Sequence, residues 1–392
     1  MLTRDLLLSR RSFLIGCSAA ASPLLTPVSF AAAPGENRLV VIVLRGAMDG
    51  LDLLRPLGDR DYAALRPTLA ASAHDAPLDL DGFFALHPAC AGLMPLWRAG
   101  ELGFAHAVAT PYRDKRSHFI GQDVLENGSA AGSGALTPGA DGWLNRALAQ
   151  MPGLPRGAAV TVGREPMLIL EGAAPARHWL PVDESGLSPQ AQLLLARLHG
   201  ADPDFADPYR QAVQLRDESQ TGRISNADAK RDQLSAYVAD RLKGEARIAA
   251  FSFGGWDTHH RQEQALAKRL GDLADTLLAL QAELGPLWAT TMVLALTEFG
   301  RTARENGTGG TDHGTGGALI MAGGAVRGGR VLGGWPGLAE ADLFDRRDLM
   351  PTGDLRGYAG WALHDLFGLA QSDIEGAVFP ALALGANPRL LR

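Results

Sequence analysis

Residues 251–262, FSFGGWDTHHRQ, set Asp257, His259 and His260 directly after an apolar run. Carboxylate and imidazole side chains gathered at the mouth of a buried strand can hold a divalent cation. Zinc leads for such a mixed set, with manganese, magnesium or calcium as the other candidates. Alone, the tripeptide reads as a polar turn. The same chemistry recurs beyond other apolar runs, however. Asp49 follows RLVVIVL (38–44), Arg113, Arg116 and Ser117 follow LGFAHAV (102–108), Glu298 follows the run 292–297, and Asp312 and His313 sit in the glycine-rich loop beyond it.

Each of these has a plain alternative. Asp49 before a glycine suits a turn, Ser117 suits a helix cap, Glu298 could pair with Arg301, Asp312-His313 could be one more turn, and the arginines could be surface charge. Repetition of one chemistry at five strand ends argues instead for a shared metal site. There, Ser117 at a helix start would be a nucleophile whose hydroxyl the cation makes easier to deprotonate. Free N–H groups of the first helical turn could hold an oxyanion, and Arg113 or Arg116 could clamp the same anion. Asp312 is read either as a ligand or as a carboxylate orienting His313 from behind. His87 and His106 are read as core or loop histidines.

Such side chains meet only if the apolar runs form neighbouring strands. The runs at 38–44, 102–108, 158–162, 247–253, 292–297 and 317–322 alternate with helical patterns, among them leucines 266, 270, 273 and 277. That alternation predicts a doubly wound, mostly parallel α/β sheet sandwiched by helices, with ligands beyond the strand ends. Residues 183–245 are charged and helical and are read as a helical cap inserted in a single domain spanning 32–392.

The 392 residues, 46% hydrophobic and 20% charged, suffice for a large core. A net charge of -6 and the lack of a basic stripe argue against nucleic-acid binding. At the N-terminus, Ser9-Arg10-Arg11-Ser12-Phe13-Leu14 before an alanine- and leucine-rich stretch predicts a twin-arginine signal over residues 1–31, and with it the twin-arginine export machinery as a partner and a periplasmic or secreted destination. Pro23 and Pro27 break that stretch, so no transmembrane anchor is expected. Leu14-Ile15-Gly16-Cys17 is the competing lipidation box. With the signal removed, Cys90 is the sole cysteine, which excludes an intrachain disulfide.

The stretches LRGAMDGLD, YRDKRSHFIGQD, GGWDTHHRQ, TEFGRTARENG and GTDHGTGG, in this order, resemble the family called domain of unknown function 1501, which is similar in arrangement to the alkaline phosphatase and sulfatase superfamily. The resemblance implies an alkaline-phosphatase-like fold. It also implies roles: Asp49 as first-strand ligand, Ser117 as nucleophile, Asp257, His259 and His313 around one metal, and Glu298 toward a second. His260 is the alternative to His259. Glu298-Phe299 stands where the superfamily has Asp-His, so a one-metal site is also open. The expected activity is hydrolysis of a small or polymer-borne phosphate or sulfate ester. The rivals are a non-catalytic exported metal-binding or assembly protein and a metalloenzyme of another reaction class.

Overall fold

The computed structural model describes residues 36–71, 78–113, 116–130, 140–155, 157–163, 166–179 and 227–392. The signal over 1–31 and most of the 183–245 segment lie outside the described residues.

Six apolar runs form strands where the sequence puts them: β1 (Arg38–Arg45), β2 (Leu102–Ala109), β3 (Ala159–Val162), β5 (Ile248–Gly254), β6 (Thr291–Leu296) and β7 (Gly317–Ala322). Short strands β4 (Arg177–Trp179), β8 (Val331–Leu332) and β9 (Gly353–Asp354) complete one sheet of order β8-β2-β7-β6-β1-β5-β3-β4, with β9 beside β2. All pairs are parallel except those of β7, which runs against both β2 and β6. The fold is thus the expected mostly parallel α/β sheet with helices on its two faces.

The continuous apolar run of β1 follows from burial on both sides. Leu39, Val41 and Val43 face a core completed by helix α5 (Leu355–Phe367) and the C-terminal segment. Val40, Ile42 and Leu44 face the opposite core, where helix α4 (Gln262–Leu284) lays down Leu266, Leu270, Leu273 and Leu277. Helix α3 (Ala227–Lys243), the described end of the segment read as a cap, adds Val238, Ala239 and Leu242 to this second core. That stretch therefore belongs to the layer covering the sheet.

The sheet's register creates the functional edge. Leu44 pairs with Phe253 and Leu296 with Val43, so β1, β5 and β6 finish level with one another. Because β7 is reversed, its first residue, Gly317, lies opposite Val108 near the end of β2. The β6–β7 loop therefore returns to the same edge as the loops leaving β1, β2 and β5. Helix α1 (His118–Asn127) begins there too, and α2 (Trp143–Ala149) follows it in the chain. Among the described residues, no helix is long and apolar enough to cross a membrane. Since Leu270 is wholly buried between α4 and the sheet, Leu270→Ala is expected to cost about 2–5 kcal/mol of stability, read from urea unfolding.

Candidate metal centre

Two loops and one helix start bring four side chains together at this edge. His118 is the first residue of α1, Asp257 and His259 lie in the β5–α4 turn, and His313 lies in the β6–β7 loop. Ligand atoms of His118, Asp257 and His313 lie within 4.8 Å of one another. His313 Nε2 is 3.2 Å from Asp257 Oδ1, and His118 Nε2 is 3.4 Å from Asp257 Oδ2. His259 flanks this trio, its Nε2 3.0 Å from Asp257 Oδ1 and 3.0 Å from His313 Nε2.

The outer nitrogen of each imidazole is already committed. His118 Nδ1 lies 2.8 Å from Glu298 Oε1, His259 Nδ1 lies 3.0 Å from Asp312 Oδ1, and His313 Nδ1 lies 2.8 Å from the Arg116 carbonyl oxygen. All three partners are acceptors, so each Nδ1 donates a proton, and each ring, when neutral, turns its Nε2 lone pair inward. Three lone pairs and a carboxylate then face one another. His118 Nε2 is buried without a hydrogen-bond partner, and with both rings neutral the His259–His313 nitrogen pair, 3.0 Å apart, has no proton between its atoms. A cation relieves both, and hydrogen-bonded Nδ1 groups behind inward Nε2 atoms are the usual support of metal-binding histidines. The donor set fits a divalent metal ion.

Local chain geometry explains how this cluster is held. The guanidinium of Arg301 is fully buried and donates to Asp257 Oδ1 at 2.6 Å. It also donates to the carbonyls of Gly46, Ala47, Trp256 and Thr311, fastening the exits of β1 and β5 to the β6–β7 loop. Gly46 has φ +121°, and a Cβ there would stand 2.7 Å from the Asp257 nitrogen, so only glycine lets the two exits pass this closely. Burial opposes ionisation of Asp257, but the Arg301 hydrogen bond and charge, with the charges of His259 and His118, hold its pKa down at about 2. Glu298 is likewise lowered: burial opposes its ionisation, while bonds from His118, Gln122 and the Gly46 N–H outweigh it. His118 is raised, chiefly by its bond to Glu298, whereas burial and the nearby His118 charge lower His313.

The structure distributes the expected site residues unevenly. Asp257, His259 and His313 converge, whereas His260 is exposed and stands outside the cluster. Glu298 and Asp312 stand behind His118 and His259, and Arg301 pairs with Asp257 instead of Glu298. Asp49, expected as a ligand, is not brought to the cluster. Its Oδ1 caps the short helix Gly50–Leu53 through the N–H groups of Leu51 and Asp52, and its Oδ2 takes Arg66 at 2.8 Å and Gln262 at 2.7 Å. A wholly buried carboxylate needs such partners, and here they occupy both oxygens. Arg113 is spent on the carbonyls of Thr110 and Tyr112. Arg116 is bound to Asp348 at 2.8 Å and joins the centre through its carbonyl alone. Ser117 directly precedes His118; its N–H donates to the Tyr112 hydroxyl and its side chain leaves α1 uncapped. His118 itself is missing from the sequence reading, although it stands in the quoted stretch YRDKRSHF at the helix start. His87 and His106 are satisfied in the core, through Ala89 N–H and the Leu54 carbonyl respectively.

Two substitutions separate these roles. His118→Ala is expected to lower bound metal at least tenfold, measured by elemental analysis after dialysis. Asp49→Ala is expected to leave the metal content unchanged and to cost about 3–5 kcal/mol, because Arg66 is left buried and unpaired. Burial opposes ionisation of Asp49, yet the charge and hydrogen bond of Arg66 hold it below its ordinary 3.8. Its stabilisation is therefore present above that pH and lost as pH falls below it, so Asp49→Ala should flatten the acid limb of the stability profile.

No curated protein matches the sequence of this chain. Solved structures that resemble it include the lipoteichoic acid synthase LtaP from Listeria monocytogenes, at 10% identity and TM-score 0.35 over 68% of this chain and 57% of that one. The PsFucS1 sulfatase from Pseudoalteromonas sp. aligns over 98% of this chain and 78% of its own at 13% identity and TM-score 0.39. A protein of the alkaline phosphatase superfamily from Vibrio parahaemolyticus aligns over 89% and 71% at 12% identity and TM-score 0.37. At these distances the likenesses assign no chemistry. A family profile, by contrast, matches residues 111–369, a span that leaves LRGAMDGLD outside it. The chain belongs to the family described as protein of unknown function, DUF1501.

Proposed function

We propose that the protein is an exported metal-dependent hydrolase of phosphate or sulfate esters. The observation that carries this reading is the convergence of three imidazole Nε2 atoms on Asp257, each ring locked from behind through Nδ1. Imidazoles with one carboxylate suit zinc best, with manganese next. A divalent ion bound there supplies Lewis acidity to the ester oxygens. The chain supplies the rest. Ser117, next to His118 at the start of α1, is the nucleophile: its oxygen bonds to phosphorus or sulfur as the bond to the ester oxygen breaks, its hydroxyl proton goes to the departing oxygen, and water then hydrolyses the seryl ester to release the product and restore the hydroxyl. Glu298 and Asp312 keep His118 and His259 in the tautomer that presents Nε2. Arg301 fixes Asp257 and neutralises part of its charge. Export follows the twin-arginine stretch around Arg10 and Arg11.

One observation favours a second reading, a non-catalytic metal protein on the same fold. Three histidines and one aspartate are enough to close a tetrahedral shell, as in structural zinc sites. Against it, Asp257, His259 and His313 keep 43%, 33% and 24% of their side chains exposed, which leaves a solvent-facing side to the cluster. Chromogenic phosphate and sulfate esters decide between the two. The metal-loaded protein is expected to hydrolyse one class, and Ser117→Ala to lower kcat on the order of a thousandfold with metal content unchanged. Absence of turnover on both classes, or turnover indifferent to Ser117→Ala, would overturn the hydrolase assignment.

A further inference from the structure

A cavity of about 560 Å³, lined in part by Asp312, opens between the loop after β6 and residues 60–65 and 338–347. It shares walls with the metal centre. Asp312 lines it while holding His259 Nδ1, and Arg347 lines it while donating to the His313 carbonyl at 3.0 Å. Leu65, Leu338 and Leu343 give it an apolar floor.

Its charges are unequally available. Arg60, Arg304 and Arg346 also line the cavity. Arg304 is exposed and has no side-chain partner among the described residues. Arg60 is 90% exposed and only loosely paired, 3.8 Å from Asp61, and Arg346 is 80% exposed and 3.5 Å from Glu340. Two of the four carboxylates are spent. Glu305 accepts the N–H groups of Thr68 and Leu69, and Asp312 accepts His259 and Asn306. The other two carboxylates, Asp61 and Glu340, are the partners of Arg60 and Arg346, so among the described residues Arg304 alone of these three is without one, beside two long ion pairs and a centre suited to an anionic ester. Guanidinium groups bind phosphate, sulfate and carboxylate in bidentate fashion.

The geometry points to this cavity as the subsite for a second anionic group of the substrate, which makes the substrate a polyanionic ester. The inference deepens the hydrolase reading and rests on it for the word substrate, but the cavity's preference for anions can be measured without turnover. Dextran sulfate, with uncharged dextran as control, is titrated into the metal-loaded full chain by calorimetry, alongside an Arg304→Glu/Arg346→Glu double variant. The expected result is binding of dextran sulfate and not of dextran, weakened roughly tenfold or more in the variant and weakened by added salt in the wild type. Equal binding by variant and wild type, equal binding of the two polymers, or no binding of dextran sulfate would overturn the subsite. Should the variant lose its unfolding transition, the salt series on the wild type decides: salt-insensitive binding sinks the inference. A protein that binds dextran sulfate as described yet hydrolyses no ester would retain the anion subsite while the hydrolase reading fails.

Discussion

A single buried guanidinium ties the functional edge together. Arg301 donates to one carboxylate oxygen and four backbone carbonyls drawn from the exits of β1 and β5 and from the β6–β7 loop. Those segments are distant in sequence and would otherwise present unpaired carbonyls to the interior, each a costly group to bury. With all five bonds made, the loops have one arrangement, and Asp257 is set at its centre as an ionised group. Lysine could not replace this fork, since it lacks the planar spread of donors.

Around that fixed carboxylate the histidines are oriented by what stands behind them. Glu298, Asp312 and the Arg116 carbonyl are acceptors, and acceptors behind the rings leave lone pairs in front. The arrangement is electrostatically incomplete without positive charge among those lone pairs. The buried network below the site is complete without it: Asp49 and Asp52 are matched by Arg66, Arg55 and Gln262. This contrast distinguishes a carboxylate that stabilises the fold from one that is left available to a ligand.

The strands and the long helices were legible because each carries a periodic signal. β1 is apolar on both faces, and α4 repeats leucine at helical spacing. That Asp257 and His313 would share an edge was legible from their place beyond strand ends. The reversal of β7, which brings His313 to that edge, left no mark in the strand's own residues. Asp49 misled because its residue type and position suit a ligand as well as a helix cap, and Arg66, which consumes it, lies seventeen residues on in a segment without a distinctive pattern. His118 was hidden behind Ser117: at a helix start the hydroxyl offered a ready role, and the adjacent ring's value depends on Glu298, which only the fold brings near. The choice between His259 and His260 turned on which ring Asp312 can reach, a matter of loop path.

The central claim is that His118, His259 and His313 present unprotonated Nε2 atoms to one shared cation. Long-range nitrogen–proton NMR of imidazole-labelled protein, recorded before and after one equivalent of zinc, tests it most directly. The account predicts Nδ1–H tautomers for all three rings in the zinc-bound protein and a zinc-induced shift confined to their Nε2 resonances. Nε2–H tautomers in the presence of zinc, or spectra that zinc leaves unchanged, would contradict it.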